Sequence, residues 1–317
     1  MKWVKYSIFI SIFFALISFC FEDKPFIQVK NNKTRSEEQL DFFVLGDWGK
    51  KGDPQNSVAN AMSIEADISK PEFILSVGDN FYPAGVKSTK DKHWQETFEA
   101  IYSSESLKIP WYSAFGNHDY MGKIKPQLEY HKINPRWMST ERYYSFEKKI
   151  PNSDETVHFI VIDTNPFDGS LSRFGHSDLW KQNKKKQLEW LENTLKSCTS
   201  SWIIVVGHHP LFTTGMRRNK MLDVRATFLP LFEKYKVDVY FSGHEHDLQY
   251  QKPDGHTHYF VSGAGSDKRG VTTDSIMTKF AASQYGFINV QLNKDTMKVN
   301  FINQDNSVIY KTQIINE

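Results

Sequence analysis

A chain of 317 residues with 24 Phe and 8 Trp carries enough apolar bulk for one large buried core or two modest ones. Charged residues at 24% and a net charge of +2 exclude a disordered composition and give no basic surface of the kind that binds nucleic acid. Only Cys20 and Cys198 are present, so no disulfide framework is available and the core itself must carry the fold.

The first residues form a segment of their own. Lys2 and Lys5 precede an apolar run from Ile8 to Phe21, which Glu22-Asp23-Lys24-Pro25 closes. This reads as a secretory signal over residues 1–20, cut after Cys20, and the run is short for a membrane span. Two alternatives rank below it: a lipid anchor on Cys20, against which Phe19 stands where a small residue is needed, and an uncleaved anchor. Residues 21–40 read as a polar leader with one N-glycosylation acceptor, Asn32-Lys33-Thr34. The mature chain is thus expected in a secreted or extracytoplasmic place (periplasmic, lysosomal or extracellular), as a monomer without a membrane span and with Cys198 unpaired.

From residue 41 onward the pattern alternates. Asp41 to Leu45 reads as a strand ending in Gly46-Asp47-Trp48-Gly49. A helix follows from about Gln55 to Ser69, with Val58, Met62, Ile64 and Ile68 as its apolar positions. Glu72 to Val77 is a second strand, running into Gly78-Asp79-Asn80-Phe81-Tyr82. Asp91 to Tyr102 has helical spacing, and Ile109 to Phe115 is a third strand, ending in Gly116-Asn117-His118-Asp119. Strand, helix, strand, helix, strand argues for parallel βαβ units. Arg142 to Lys149 and Thr156 to Ile162 read as strands joined by a Pro151–Asp154 turn; Asn165 to Lys186 reads as a loop and Gln187 to Leu195 as a helix. Ser201 to Val206 then ends in Gly207-His208-His209-Pro210, and a helix near Val224 to Tyr235 leads to the strand Val237 to Phe241, ending in Gly243-His244-Glu245-His246. Tyr259 to Val261 and three short strands between Gly286 and Tyr310 close a single domain over 41–317.

Five strands therefore end in turns that bear metal-ligand side chains: Asp47, Asp79 with Tyr82, Asn117-His118, His208, and His244-x-His246. Each glycine is expected to let the chain turn sharply, so that the next side chain projects from the sheet edge. In an open α/β sheet the carboxyl ends of the strands are where ligands gather. Carboxylate, phenolate, amide and imidazole suit iron, manganese or zinc and are poor for a thiolate site or a calcium cage. Asp79 has two carboxylate oxygens and can serve two ions at once. Two ions about 3.5–4 Å apart are the usual arrangement for displacement at phosphorus.

On these residues the sequence resembles the purple acid phosphatases of the calcineurin-like metallophosphoesterase group, most of all the small tartrate-resistant animal type. That family's five motifs occur here in order, at Gly46 to Gly49, Gly78 to Tyr82, Gly116 to Asp119, Val205 to His208 and Gly243 to His246, and the similarity runs from about Phe42 to Gly265. The resemblance implies an α/β metallophosphoesterase four-layer sandwich, two mixed β-sheets flanked by helices (α/β/β/α). It implies an acid phosphatase that hydrolyses phosphate monoesters by a metal-bound hydroxide at a binuclear centre. Fe(III) would be held by Asp47, Asp79, Tyr82 and His246, and a divalent metal, Fe(II), Zn or Mn, by Asp79, Asn117, His208 and His244. His118 would protonate the leaving alcohol, or else serve only as a structural neighbour of Asn117.

One departure concerns the loop after His208. The animal enzymes carry a further His there, where this chain has Arg217, and a Tyr where this chain has His209. His209 and Arg217 are the candidates for substrate binding, the alternative for Arg217 being a solvated loop residue. His131, His176, His256 and His258 match no motif and read as ordinary surface residues. The competing readings are a phosphodiesterase or nucleotidase on the same fold, which Tyr82 argues against, and a non-catalytic scaffold, which the loss of a ligand would favour; all seven ligands are present.

Overall fold

The core is organised by β-strands whose two faces enter different hydrophobic layers. In the strand Leu40–Leu45 (β1), Leu40, Phe42 and Val44 face one buried cluster while Phe43 and Leu45 face another. That is the period-2 alternation of a strand buried on both sides. The computed structural model describes residues 39–169, 177–180, 182–273 and 275–316, all within one compact unit. The expected signal, residues 21–38 of the leader with Asn32, the Cys20 alternative and His176 lie outside the described residues, while Leu40, expected in the leader, opens β1.

β1 pairs in parallel with Phe73–Ser76 (β2), which pairs in parallel with Trp111–Ser113 (β3). On its other side β1 pairs antiparallel with Gly286–Leu292 (β11), and Thr296–Asn303 (β12) and Val308–Ile315 (β13) complete a six-stranded sheet. The second sheet has seven strands, in the order β10-β8-β9-β7-β6-β5-β4. They are Tyr144–Lys149 (β4), Thr156–Val161 (β5), Trp202–Val206 (β6), Val239–Ser242 (β7), Leu248–Gln251 (β8), His258–Ser262 (β9) and Thr278–Ala282 (β10). β5, β6, β7 and β9 run parallel, with antiparallel strands at both edges.

Phe42, Phe73, Phe159, Trp202, Phe241 and Phe260 meet between the two sheets. The outer face of the first sheet is covered by the helix Asp53–Ser69 (α1) and a π-helical turn, Trp94–Glu99, through Trp48, Met62, Phe98 and Trp111. The outer face of the second is covered by Lys184–Ser197 (α5) and Leu222–Lys234 (α6), through Leu191, Leu195, Phe228 and Phe232. This is the expected α/β/β/α sandwich of two mixed sheets. Among the described residues no helix is long and apolar enough to cross a membrane.

Three expectations change. α1 buries Val58 and Met62 as expected, but Ile64 and Ile68 are 44% and 40% exposed, because the face against the sheet is built from Ala59, Ala61 and Ala66, whose small side chains allow close approach. The stretch read as a loop contains a 3₁₀ turn, Asn165–Phe167, and a short helix, Ser177–Trp180 (α4). Two further short helices, Asn117–Met121 (α2) and Ile124–Glu129 (α3), follow β3. His131, His256 and His258 are half-buried rather than on the open surface. His256 Nε2 lies 2.9 Å from Asp238 Oδ1, and His258 Nδ1 lies 2.8 Å from Tyr250 Oη.

Candidate metal centre

Every expected ligand lies just beyond the carboxyl end of a parallel strand: Asp47 after β1, Asp79 and Tyr82 after β2, Asn117 at the start of α2 after β3, His208 after β6, His244 and His246 after β7. The two sheets carry their own ligands to one buried place. Asp47, Asp79, His208, His244 and His246 are each at most 7% exposed, and Tyr82 and Asn117 are at 8% and 9%.

Tyr82 Oη stands 2.9 Å from Asp47 Oδ1, 2.8 Å from Asp79 Oδ2 and 3.3 Å from His246 Nε2. Beside this group, His208 Nε2 lies 3.1 Å from His244 Nδ1, 3.2 Å from Asn117 Oδ1 and 3.5 Å from Asp79 Oδ2. Asp79 is therefore common to both groups. His208 Nδ1 faces the Val77 carbonyl at 2.9 Å, so that nitrogen carries the hydrogen and Nε2 presents its lone pair to the cluster.

The backbone is held in costly conformations for this. Asp47, Asp79 and His244 have φ of 55°, 53° and 68°, in the left-handed region that L-residues avoid. The glycines before them were expected to take the sharp turn; of these three only Gly78 has a positive φ, at 95°. The ligand residue takes the turn itself, and the glycine supplies clearance. A Cβ on Gly243 would lie 2.4 Å from Asp47 Oδ2.

Charge and burial also shape the cluster. Burial, then the Asp47 and Asp79 carboxylates, push the Tyr82 phenol well above its usual value, so its ionisation requires a cation close by. Burial, with His209 and His208 alongside, holds His244 well below the usual imidazole value and keeps it neutral. Burial opposes protonation of His208, but the Asp79 and Asp47 charges outweigh it and raise that imidazole. For Asp47 the balance reverses: burial would raise it, yet the His246 hydrogen bond and the His208 charge bring it down. Two carboxylates, a phenol, an amide oxygen and imidazole nitrogens form a donor set that fits hard-to-borderline metal ions. Asp47, Asp79 and His246 offer ligand atoms within 4.8 Å of one another, and so do His208, His209 and His244.

The remaining candidates lie around this cluster. His118 is half-buried on α2; its N–H donates to Asp79 Oδ1 (2.7 Å) and its ring lies 4.3 Å from that of Tyr82. Its Nδ1 faces the Pro83 carbonyl at 2.6 Å, which turns Nε2 to the other side of the ring. His209 is fully buried, with Nδ1 2.7 Å from Thr164 Oγ1 and its ring 4.5 Å from that of His244. Arg217 is not the solvated loop residue of the alternative reading: its side chain is 25% exposed, and Nη1 donates to the His244 carbonyl (2.7 Å) and lies 3.7 Å from Glu245 Oε2.

Two residues behind the ligands went unnoticed in the sequence. Asp267 Oδ2 lies 3.1 Å from His246 Nδ1 and accepts from Lys50 Nζ at 2.7 Å, placing a carboxylate behind the imidazole of a candidate ligand. The family-like stretch Ser262 to Gly265 stops two residues short of it. Asn80 accepts from Ser76 Oγ (2.6 Å) and Ser113 Oγ (2.9 Å) and donates to Ala114 O (3.0 Å), tying the β2 turn to β3.

The strand order and the clustering of donor side chains at the strand ends are those of a metallophosphoesterase fold. A family model described as calcineurin-like phosphoesterase matches residues 35–248, and the chain belongs to that family. It is 32% identical over 306 residues to tartrate-resistant acid phosphatase type 5 of Sus scrofa, covering 90% of this chain and 89% of that protein. It is 31% identical to purple acid phosphatase 7 of Arabidopsis thaliana, covering 89% and 88%. Among solved structures it is similar to GAP50, described as the anchor in the inner membrane complex of Plasmodium, with a TM-score of 0.79 at 26% identity over 88% of this chain and 89% of that one.

Proposed function

We propose that this chain is an acid phosphatase of the purple type, hydrolysing phosphate monoesters outside the cytoplasm at an Fe(III)–M(II) centre, with M being Fe(II), Zn or Mn. The observation that carries the reading is the position of Asp79, whose Oδ2 lies 2.8 Å from Tyr82 Oη in one group of donors and 3.5 Å from His208 Nε2 in the other. Asp47, Tyr82 and His246 would hold Fe(III) on one side of it; Asn117, His208 and His244 would hold the divalent ion on the other. When bound, such a pair supplies the nucleophile and the positive charge that phosphoryl transfer needs.

The chain's own residues contribute orientation and a proton. The Asp79 carboxylate, accepting from His118 N–H, ties the outer histidine to the centre at fixed distance. With Nδ1 given to the Pro83 carbonyl, His118 has Nε2 available to protonate the departing alkoxide. Arg217 braces the His244 carbonyl and His209 lies sealed behind His244, so neither is placed in this reading as the principal anchor for substrate phosphate.

Similarity to a Plasmodium anchor supports a second reading, a scaffold without catalysis. The intact donor set, with Asp47, Asp79 and His244 in left-handed conformations, weighs against it, because a scaffold gains nothing from that strain. Metal analysis and the visible spectrum of purified protein, with hydrolysis of an aryl phosphate at pH 5, separate the two. Iron, a phenolate charge-transfer band lost in Tyr82→Phe, and turnover are expected. A metal-free, inactive protein after iron loading would sink the phosphatase reading in favour of the scaffold.

A further inference from the structure

Asn117 and His118 stand on α2, a helix of five residues that follows the first sheet. So short a helix closes too few hydrogen bonds to hold itself in place. Besides the bond of the His118 N–H to Asp79 Oδ1 on the side of the first sheet, it is supported from the second sheet, through the segment that follows β5. Asn165 Nδ2 donates to the Phe115 carbonyl (2.7 Å), two residues before Asn117. Tyr120 Oη, three residues after Asn117, donates to Asp163 Oδ2. The turn bearing Asn117 and His118 is thus gripped at both ends by residues 163–165.

The grip is itself anchored. Asp163 Oδ2 also accepts from Gln182 Nε2 (3.0 Å), and Oδ1 accepts from Asn165 N (3.1 Å) and Nδ2 (2.8 Å). Gln182 Nε2 reaches Tyr120 Oη as well, at 2.5 Å. Gln187 on α5 fixes the Asp163 backbone from both sides, accepting from its N–H (2.8 Å) and donating to its carbonyl (3.0 Å). Tyr120, Asp163 and Asn165 are 2%, 0% and 1% exposed, so water cannot replace these bonds. A carboxylate this deep with four donors is a rigid point, and none of the three side chains is among the metal donors.

We propose that Tyr120 and Asp163 are positioning residues for hydrolysis, bolting the Asn117–His118 turn to the second sheet and setting where His118 stands relative to the metal centre. The physical basis is that a proton donor acts over hydrogen-bond distances, and a displacement of about 1 Å can cost ~10²-fold in rate. This inference rests on the reading of His118 as the general acid.

The test uses the metal-loaded enzyme with Tyr120→Phe, which deletes only the hydroxyl and leaves Asp163 with its other donors. Asp163→Asn serves as a second variant. The visible band should match wild type, since Asp47, Asp79, Tyr82 and His246 stand off this turn; Asn117 stands on it, so bound metal is measured in each variant and rates are compared at full loading. Turnover of alkyl phosphates, which need a proton on the leaving oxygen, should fall by roughly 10–10²-fold, and that of aryl phosphates by much less. In a His118→Ala background the same Tyr120→Phe change should cost under about 2-fold, because the residue it positions is gone. Equal losses on both substrate types, or a loss that multiplies fully with that of His118→Ala, would overturn the positioning role. His118→Ala alone keeps the two claims apart: if it slows alkyl and aryl phosphates alike, the general-acid reading fails, while full multiplication in the double variant fails the bolt by itself.

Discussion

Replacing Gly78 by Ala should cost stability and metal together, and the structure gives the size. The residue has φ of 95°, where an L side chain is strained by roughly 1–3 kcal/mol. The new Cβ would lie 2.7 Å from His208 Nδ1 and 2.8 Å from Gly116 N. Neither neighbour is free to retreat. His208 Nδ1 is bonded to Val77 O at 2.9 Å, and Gly116 N donates to Asp119 Oδ2 at 2.8 Å. Overpacking of this kind adds about 1–3 kcal/mol. The stiffer unfolded chain returns only about 0.4–1 kcal/mol, leaving a net loss of about 1–5.6 kcal/mol. Gly270 provides the control: nothing lies within 4 Å of its Cβ position, so Gly270→Ala should move stability by no more than ~0.5 kcal/mol. Urea midpoints of the metal-depleted proteins measure the loss, and metal bound per chain after reloading reads the displacement of His208. A Gly78→Ala protein with the wild-type midpoint and full metal content would show that the turn is not as tightly packed as these distances say.

Asp267→Asn should keep the fold but weaken metal binding by roughly 10–10²-fold, because Asp267 Oδ2 lies 3.1 Å behind His246 Nδ1; competition with a chelator reads the change, and unchanged affinity would separate Asp267 from the centre. Asp79→Ala should lose both metals, whereas His118→Ala should retain both, since the His118 ring only packs beside Tyr82 and its bond to Asp79 is made by the backbone N–H; loss of a single metal from Asp79→Ala would end its bridging role. For acid stability, burial, with Lys252 and His256 nearby, pushes His258 down to about 4, against about 6.5 in an unfolded chain. The folded protein then binds fewer protons than the unfolded one between these values, so this contribution is full above pH ~6.5 and is lost as pH falls towards ~4. His258→Gln should flatten the fall in urea midpoint between pH 7 and 5, and an identical fall in both proteins would exclude His258 as its source.

The parts of this fold that could be read from sequence are those where side-chain chemistry and period coincide. β1, β2, β3, β6 and β7 are apolar runs buried on both faces, and each ends in a turn residue of ligand type, so strand, turn and site appear together. β8 was invisible for the opposite reason. Its Gln249 and Gln251 are fully buried yet polar, and are satisfied by hydrogen bonds to residues such as Asp247 and Thr278 that no local pattern reveals. The apolar face of α1 was misjudged because period alone cannot rank Ile64 above Ala61, whereas the narrow space against the sheet prefers alanine. Supporting residues were hidden by separation along the chain: Tyr120 meets Asp163 across 43 residues, and Lys50 meets Asp267 across 217.

The same contrast explains why five weak motifs point to the candidate site when its supports go unseen. A ligand must be one of a few residue types, and here it must follow a strand, so each motif is constrained in both chemistry and position. A support needs only to place a donor or acceptor within reach, which many residue types can do from many places. The strain at Asp47, Asp79 and His244 makes those supports necessary. A left-handed aspartate or histidine relaxes unless its neighbours hold it. Here the His244 N–H donates to Asp47 Oδ2 at 2.9 Å, and Asp79 Oδ1 accepts from the His118 N–H at 2.7 Å. Asp47 and His244 thus restrain each other across the two sheets and Asp79 is held within the first, so a metal pair would bind to a shape already held in place, with less reorganisation than an unstrained loop would require.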